Sequence, residues 1–212
     1  MDDVSNTKRG RGRPRAFDTQ NVLSRAQDAF WNGGYAATSL DNLVIATGLN
    51  RPSLYSAFGD KHALYMAAFT KALQDTVATL SDLLSIDEPL QQALMRLFAL
   101  ATDTYRTGET GQRGCFFIST AVVEAVGDAE IRESLRLALD EMDRLFEDRF
   151  LRAQRVGELP TEADIPIYAK LTTAMLNGMA VRARAGADAQ TLTRMGRGLT
   201  TLILDANARQ ND

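Results

Sequence analysis

The sequence has little of what secreted, membrane-spanning or disulfide-stabilised proteins contain. Its 212 residues include one cysteine, which excludes an internal disulfide and is typical of a reducing compartment. No run approaches the roughly 20 apolar residues that a membrane-spanning helix needs. The N-terminus is charged and does not resemble a secretory signal. We therefore expect a cytoplasmic protein with no membrane partner.

The sequence also contains only one histidine, and it has no long run in which β-branched residues alternate with polar ones. The only histidine, His62, lies at the end of the N-terminal third, so no Ser-His or Cys-His nucleophilic pair can form in the rest of the chain. Zinc sites built from cysteine and histidine lack their ligands. We expect no enzyme activity, no metal and no cofactor. Without long alternating runs, the fold is expected to be all-α.

What the sequence does contain is a pair of short helical patterns at residues 38–58. Ser39 can cap the first helix and Gly48 can end it in the left-handed conformation. Asn50 can cap the second helix, and Pro52 fits its first turn. A helical hairpin with a solvated face and a helix-turn-helix that reaches bases and phosphates both have this pattern. In either case the outward face of the second helix holds Arg51, Ser53, Tyr55 and Ser56.

A basic segment precedes this pair of helices. Residues 8–15 hold five basic and no acidic side chains, and residues 1–62 carry eight Lys/Arg against six acids in a chain whose net charge is −3. Arginines in an extended arm suit a narrow minor groove, and Arg11, Arg13 and Arg15 are the candidates. A disordered solubilising tail is the alternative, and the segment is both if DNA orders it.

Residues 17–69 resemble the DNA-binding domain of the TetR family of bacterial transcriptional regulators. The resemblance is carried by Ala26 and Phe30, and by three runs: Gly34-Tyr-Ala-Ala-Thr-Ser-Leu, Ile45-Ala-Thr-Gly-Leu and Leu54-Tyr-Ser-Ala-Phe-Gly-Asp-Lys-His-Ala-Leu. The Tyr-x-x-Phe-x-x-Lys spacing in the last run is highly characteristic. Beyond the first third, the resemblance extends only to helical architecture and length.

The resemblance implies roles for individual residues. In such regulators the helix that matches residues 51–57 enters the major groove, and phosphates are commonly held by the residues matching Thr38, Ser39, Tyr55 and Lys61. Arg51 is the best candidate for a bidentate contact to guanine. Asn50 and Ser53 are weaker candidates, because both residue types also cap helices. His62 either touches the DNA backbone or is a surface histidine.

We expect about nine helices in three segments: a flexible basic arm (1–16), a helix-turn-helix domain (17–62) and a helical ligand-binding and dimerisation domain (63–212). We call the helix-turn-helix domain (17–62) the reader. After it, residues that end helices, such as glycine and proline, predict helices over about residues 60–84, 89–105, 115–126, 129–154, 162–185 and 188–208.

The last two predicted helices carry apolar stripes interrupted by small residues. Such helices can form a four-helix bundle between two copies, although packing into their own core produces the same periodicity. The family resemblance favours a homodimer, whose twofold axis matches a palindromic operator on double-stranded DNA. The candidate interface residues are Leu171, Met175, Gly178, Met179, Leu192, Met195, Leu199 and Leu202.

The middle helices are the candidate sensor of a small-molecule effector. Their apolar faces are rich in aromatics and methionines, which would suit an apolar or aromatic ligand, although most of these residues would be core in any case. The candidate pocket residues are Phe69, Leu73, Phe98, Tyr105, Cys115, Phe116, Met142, Phe146 and Met175.

Cys115 follows Gly114 at the start of the predicted helix over residues 115–126. A helix N-terminus, with Arg113 nearby, would lower the thiol pKa and suit a sensor of electrophiles or oxidants. A small buried residue is the alternative.

The sequence therefore predicts a dimeric DNA-binding regulator, which binds a palindromic operator and is released by a small, largely apolar effector. Repression is the common case in the family. The alternatives are a thiol-based regulator that acts through Cys115 and a non-specific architectural DNA-binding protein.

Overall fold

The computed structural model describes residues 17–108 and 110–208, and every regular element in these ranges is helical. This confirms the all-α fold class. A single 3-10 turn, Glu124–Val126, separates the sixth and seventh helices. The helices are α1 (Thr19–Gly33), α2 (Leu40–Thr47), α3 (Arg51–Phe58), α4 (Lys61–Ser85), α5 (Leu90–Tyr105), α6 (Phe116–Thr120), α7 (Ala129–Arg155), α8 (Ile165–Arg184) and α9 (Ala189–Ala208).

Three of the long helices, α4, α7 and α8, begin at acidic caps that the sequence contains. Asp60 accepts a hydrogen bond from the Ala63 amide at 2.7 Å and so opens α4. Asp128 accepts from the Ile131 amide at 3.0 Å and opens α7. Helix α8 begins later than expected because Asp164 is its cap. These caps satisfy first-turn amides that have no partner inside the helix.

The helix expected over residues 115–126 is wrong in its extent. Helix α6 holds only five residues and is followed by an irregular turn and the 3-10 segment. Phe116 and Phe117 are buried, whereas Val122, Val123 and Val126 are exposed, Val126 by 86 %. The apolar residues of this stretch therefore do not share one face, and no continuous stripe holds a longer helix against the core.

An aromatic cluster joins α1, α4 and α6 in the core. Tyr65 is fully buried, with its ring 5.2 Å from that of Phe30 and 6.2 Å from that of Phe116. Its hydroxyl lies 2.9 Å from that of Thr120, and burial raises the pKa of Tyr65 to about 12. Phe69 extends the cluster to Phe117, at 5.0 Å between ring centroids. The core therefore continues from the helix-turn-helix segment into the rest of the chain.

The remaining helices form the body of the molecule. Helix α5 packs against α8 and α9, and α7 packs against α4 and α8. Within the described ranges, no helix is both long enough and apolar enough to cross a membrane.

Candidate nucleic-acid interface

Local hydrogen bonds define both ends of α2. The Ser39 hydroxyl accepts from the Asn42 amide at 3.1 Å, and the Asn42 side chain accepts from the Ser39 amide at 2.9 Å. At the other end of α2, Gly48 adopts φ 71° and donates its amide to the Val44 carbonyl. A left-handed residue here suits glycine, since a Cβ is strained in that region. The predicted cap at Ser39 and stop at Gly48 are confirmed.

Helix α3 presents a polar face to solvent. The Asn50 side chain accepts from the Ser53 amide at 2.9 Å and caps the helix, and Pro52 lies in the first turn. Leu54 is buried on the inner face. Tyr55 is 47 % exposed on the outer face, so its hydroxyl can reach a phosphate. Because the amide oxygen of Asn50 is used in the cap, a base contact through that atom would compete with the helix start.

Arg51 is exposed, but it is held by a partner that sequence reasoning missed. Its Nη2 donates to Asp41 Oδ1 at 2.6 Å, and this hydrogen bond raises the pKa of Arg51 above its usual value. Asp41 lies in the first turn of α2. An exposed pair of this kind contributes little to stability and can exchange partners, so the guanidinium can be redirected to a base.

Lys61 opens α4 beside the turn that precedes α2. Its ammonium lies 4.4 Å from the centroid of the Tyr35 ring and donates to the Ala36 carbonyl at 3.4 Å. Partial burial lowers the pKa of Lys61. The side chain is half-buried, and its cation lies over an aromatic face, which is a favourable arrangement. A phosphate at the N-terminus of α4 would meet this charge.

The expectation for Thr38 is wrong in this structure. Its side chain is 3 % exposed, and its hydroxyl donates to the Gly34 carbonyl at 2.6 Å. The hydroxyl therefore stabilises the turn between α1 and α2 and is not presented to a phosphate. Ser39, the next residue, is exposed, and only its cap bonds compete with DNA.

His62 contacts acidic groups of α7 rather than standing free at the surface. Its Nε2 lies 2.9 Å from Asp128 Oδ2, and its Nδ1 lies 3.9 Å from Glu130 Oε2. The Ile131 amide is the main cause of the lowered pKa of Asp128, and the charge of His62 adds to it. His62 thus ties the start of α4 to the start of α7. The predicted minor-groove residues Arg11, Arg13 and Arg15 lie outside the described residues.

A cavity of about 260 Å³ lies between α1, α4, α5 and α6, and α7 and α8 each contribute one residue to its wall. Of the predicted pocket residues, Tyr105, Cys115, Phe116 and Met142 line it. The other predicted pocket residues do not line the cavity. Phe69 belongs to the aromatic cluster, and Phe98 packs directly against Gly196 of α9. Leu73, Phe146 and Met175 pack in the core. The cavity is also lined by Phe117, one of the aromatics of the middle helices, and by residues that sequence reasoning missed: Gln27, Trp31, Ala72, Asp75, Thr76, Thr79, Leu80, Leu97, Leu100, Ala101, Thr104 and Leu176.

Part of the missed wall had a signal in the sequence. Ala72, Asp75, Thr76 and Thr79 recur at three- and four-residue spacing on α4, which places them on one face. Ala72 is buried whereas Asp75 and Thr79 are exposed, and a few polar groups in a mostly apolar wall are typical of a ligand site. Trp31 of α1 had no such signal, because it lines the cavity only through contacts with residues far away in sequence.

Of the two interpretations of Cys115, a small buried residue agrees with the structure and a thiol of low pKa does not. Burial raises the pKa of this thiol, and its two backbone hydrogen bonds from α6 only partly offset that effect. A helix of five residues offers a short dipole. Arg113 does not assist, because its guanidinium pairs with Asp28 and lies over the Trp31 ring. Cys115 therefore lines the cavity as a protonated thiol rather than as a reactive thiolate.

Helices α8 and α9 divide the predicted interface residues between the core and the surface. Met179, Leu192 and Leu199 are at most 6 % exposed, so they belong to this chain's own core and the expectation is wrong for them. Met175 and Met195 are half-buried. In contrast, Leu171 and Leu202 are 46 % and 68 % exposed. With half-buried Gly178, exposed residues form a stripe on α8 at Ile167, Leu171, Ala174 and Val181.

Two family models match the chain. The first, described as bacterial regulatory proteins of the tetR family, matches residues 22–68, and the second, described as the tetracyclin repressor-like C-terminal domain, matches residues 92–199. The chain belongs to the TetR family. It is therefore a DNA-binding transcriptional regulator and not an enzyme, which confirms the family and function class predicted from the sequence.

Two relatives resemble the chain over three quarters of its length or more. The HTH-type transcriptional repressor ComR of Escherichia coli is 30 % identical over 195 residues, which cover 92 % of each chain. The uncharacterised HTH-type transcriptional regulator YezE of Bacillus subtilis is 30 % identical over 160 residues, 75 % of this chain and 82 % of that one.

A solved TetR-family structure also shares the fold. It is a cysteine mutant of the regulator CifR complexed with 26 bp double-strand operator DNA, with a TM-score of 0.80 and 28 % sequence identity. The match covers 89 % of this chain and 98 % of that one.

Proposed function

We propose that this TetR-family protein is a homodimeric repressor that binds a palindromic operator and is released by a small, largely apolar effector. In this proposal residues 1–16 are a basic arm, residues 17–62 contact DNA, and residues 63–212 bind the effector and the second copy. The observation that carries the proposal is the polar outer face of α3, which follows a fully capped turn and is flanked by Ser39 and Lys61.

The position of these groups supports contacts to both bases and phosphates. Arg51 and Ser53 lie at the N-terminal end of α3, the end that contacts base edges when such a helix enters the major groove. Tyr55, Ser39 and Lys61 lie where they can contact phosphates. Such contacts fix the position of the helix-turn-helix on the duplex but do not determine which DNA sequence is bound. CifR, which has the same fold, is complexed with operator DNA, and ComR is named a repressor.

The exposed stripe on α8 supports the homodimer. Leu171 and Val181 are 46 % and 54 % exposed, and half-buried Gly178 lies between them on the same face. A small residue in the middle of an apolar face lets a second helix approach closely, and twofold pairing would cover the same stripe on both copies. Leu202 of α9 extends the proposed interface in place of the buried Leu199.

The cavity supports an effector of modest size. Its volume of about 260 Å³ lies just below the usual range for ligand sites, and its wall is mostly apolar. An effector that favours one arrangement of the two readers would change operator affinity by about 5- to 150-fold.

The experiment is selection of duplexes from random-sequence DNA by the full chain, followed by footprinting and binding titrations. We expect a palindromic consensus and an affinity that falls steeply with salt. Arg51→Ala should reduce discrimination between the consensus and a scrambled duplex by roughly tenfold or more. The matched control is Arg136→Ala, an exposed arginine of α7 in a surface ion-pair network. Recovery of no preferred sequence would instead identify an architectural DNA-binding protein and refute the proposal.

A further inference from the structure

Helix α1 contributes two residues to the wall of the cavity. Gln27 and Trp31 lie one helical turn apart and line it together with Phe116 of α6. Helix α1 packs against α2 of the helix-turn-helix. A molecule in the cavity therefore touches the DNA-reading part of the chain directly. Trp31 is also the only tryptophan in the sequence.

The Trp31 side chain is held on several sides. The guanidinium of Arg113 lies 4.0 Å from its ring centroid, and the indole N–H donates to the Arg113 carbonyl at 3.2 Å. The ring of Phe116 meets it edge-on, at 5.9 Å between centroids. Cation–π and edge-to-face contacts both depend on ring orientation. A ligand that changes the position of the indole must therefore also disturb Arg113.

Arg113 in turn links α1 to the body. Its guanidinium pairs with Asp28 of α1, three residues before Trp31. Arg184, at the end of α8, donates to the carbonyls of Trp31 and Arg113 at 3.2 and 3.0 Å. We call Asp28, Trp31, Arg113 and Arg184 the α1 clamp. Gly114 presses the same loop against α8, since a Cβ there would lie 2.9 Å from the Ala180 carbonyl.

The wall chemistry favours a neutral aromatic ligand. Trp31, Phe116 and Phe117 supply aromatic surface, and Thr76, Thr79 and Thr104 supply hydroxyls. Asp75 is the only charged residue among the described lining residues, and its carboxylate is paired with Lys71 at 2.5 Å. The two cations beside this wall, Lys71 and Arg113, are already paired with Asp75 and Asp28, so an anionic ligand gains a cationic partner only by breaking one of these pairs. A buried charge without a partner is costly.

We propose that the cavity binds a neutral aromatic molecule carrying a hydroxyl, which contacts Trp31 and acts on α1 through the α1 clamp. The effect on DNA rests on the proposed function, whereas the ligand site does not. Ligand contact shifts the indole, the Trp31–Arg113–Asp28 contacts rearrange, and α1 moves relative to α8. The helix-turn-helix packed on α1 moves with it.

Fluorescence of Trp31 tests the ligand site in the full chain. The probe is 4-nitrobenzyl alcohol, a neutral quencher, and its matched control is 4-nitrobenzoate, which is anionic. We expect saturable quenching by the alcohol and at least about tenfold weaker binding of the carboxylate, because its charge is left unpaired. Leu100→Phe narrows the cavity and should weaken the quenching. Linear, non-saturable quenching by the alcohol, or equal binding of both probes, would overturn the inference.

Titration of the selected duplex tests the coupling. The alcohol should weaken duplex binding by the wild-type protein by about fivefold or more. Arg113→Met retains the aliphatic stem but removes the charge, so saturable quenching should persist while this weakening is lost. Asp28→Asn removes the charge of the other, exposed member of the Arg113–Asp28 pair, so it should also abolish the weakening. Arg136→Met is the control. Unchanged weakening of duplex binding in both clamp variants would overturn the coupling.

The two proposals fail in different ways. If the chain selects no duplex, the proposed function is refuted. If it selects a duplex but the alcohol quenches Trp31 only linearly, this inference is refuted.

Discussion

Arg51 Nη2 lies 2.6 Å from Asp41 Oδ1, so the candidate base-reading residue of α3 is paired with the first turn of α2. Both side chains are more than half exposed. The pair orients the guanidinium, but it also places a carboxylate on the face that is proposed to meet DNA. Asp41 is thus expected to limit binding to duplexes that offer Arg51 a better partner than the carboxylate.

The first prediction follows from this pair. Asp41→Asn should raise affinity for the consensus and for scrambled DNA alike, since it removes a negative charge that faces the phosphates. It should also reduce the ratio between the two affinities, because Arg51 no longer has a competing partner. Fluorescence anisotropy with both duplexes measures this, and Asp103→Asn, an exposed acid on α5, is the control. An unchanged ratio would contradict the restraining role of Asp41.

The second prediction concerns the exposed stripe on α8. Leu171→Glu should convert the protein to monomers, because it places a charge in the middle of an apolar interface. Sedimentation equilibrium measures the mass of the assembly. Leu137→Glu, at a similarly exposed leucine of α7, should leave the dimer intact. Dimers that persist in the Leu171 variant would show that copies pair through another surface.

The third prediction concerns Cys115, the single cysteine. Because burial raises the pKa of its thiol, the folded protein should react more slowly with iodoacetamide than the urea-unfolded chain at pH values near the ordinary thiol pKa of about 8.5. The sign follows from the thiolate fraction, which is smaller in the folded state until the pH exceeds the raised value. Mass spectrometry counts the single adduct. Faster reaction in the folded state would restore the reactive-thiol alternative.

The fourth prediction concerns the contact between α5 and α9. A Cβ added at Gly196 would lie 2.4 Å from Cβ of Phe98, so Gly196→Ala forces two buried helices apart. We expect a loss of about 1–3 kcal/mol in the free energy of unfolding, the usual cost of overpacking. Urea unfolding measures it. Gly127→Ala is the control, since the space around Gly127 is open. Equal stability of the two variants would show that α9 moves aside without cost.

The reader was largely predictable from sequence because its signals are local. The Ser39 cap, the Gly48 stop and the Asn50 cap each form hydrogen bonds within four residues along the chain. The orientation of Thr38 could not be predicted from its neighbours in the sequence. Its residue type suits a phosphate contact, but the course of the chain from α1 buries its hydroxyl against the Gly34 carbonyl.

The apolar stripes of the last two helices were visible in the sequence, but their direction was not. Leu171 and Met179 are both apolar residues of α8, yet one is exposed and the other is fully buried. Periodicity reports that a helix has an apolar face. When a helix is apolar on two sides, only the packing of its neighbours decides which side remains for a second copy, and for α8 these neighbours are chiefly α5, α7 and α9.

The sequence by itself determined the helical fold class, the turn with its caps and the polar face of α3, because these depend on the conformational preferences and short-range bonds of neighbouring residues. Only the tertiary structure decided that Trp31 of the DNA-reading segment lines the cavity, that Arg113 pairs with Asp28 rather than activating Cys115, and that Arg51 is paired with Asp41. These pairs are separated by between 10 and 85 positions in the chain. Their contacts exist only when packing brings distant helices together.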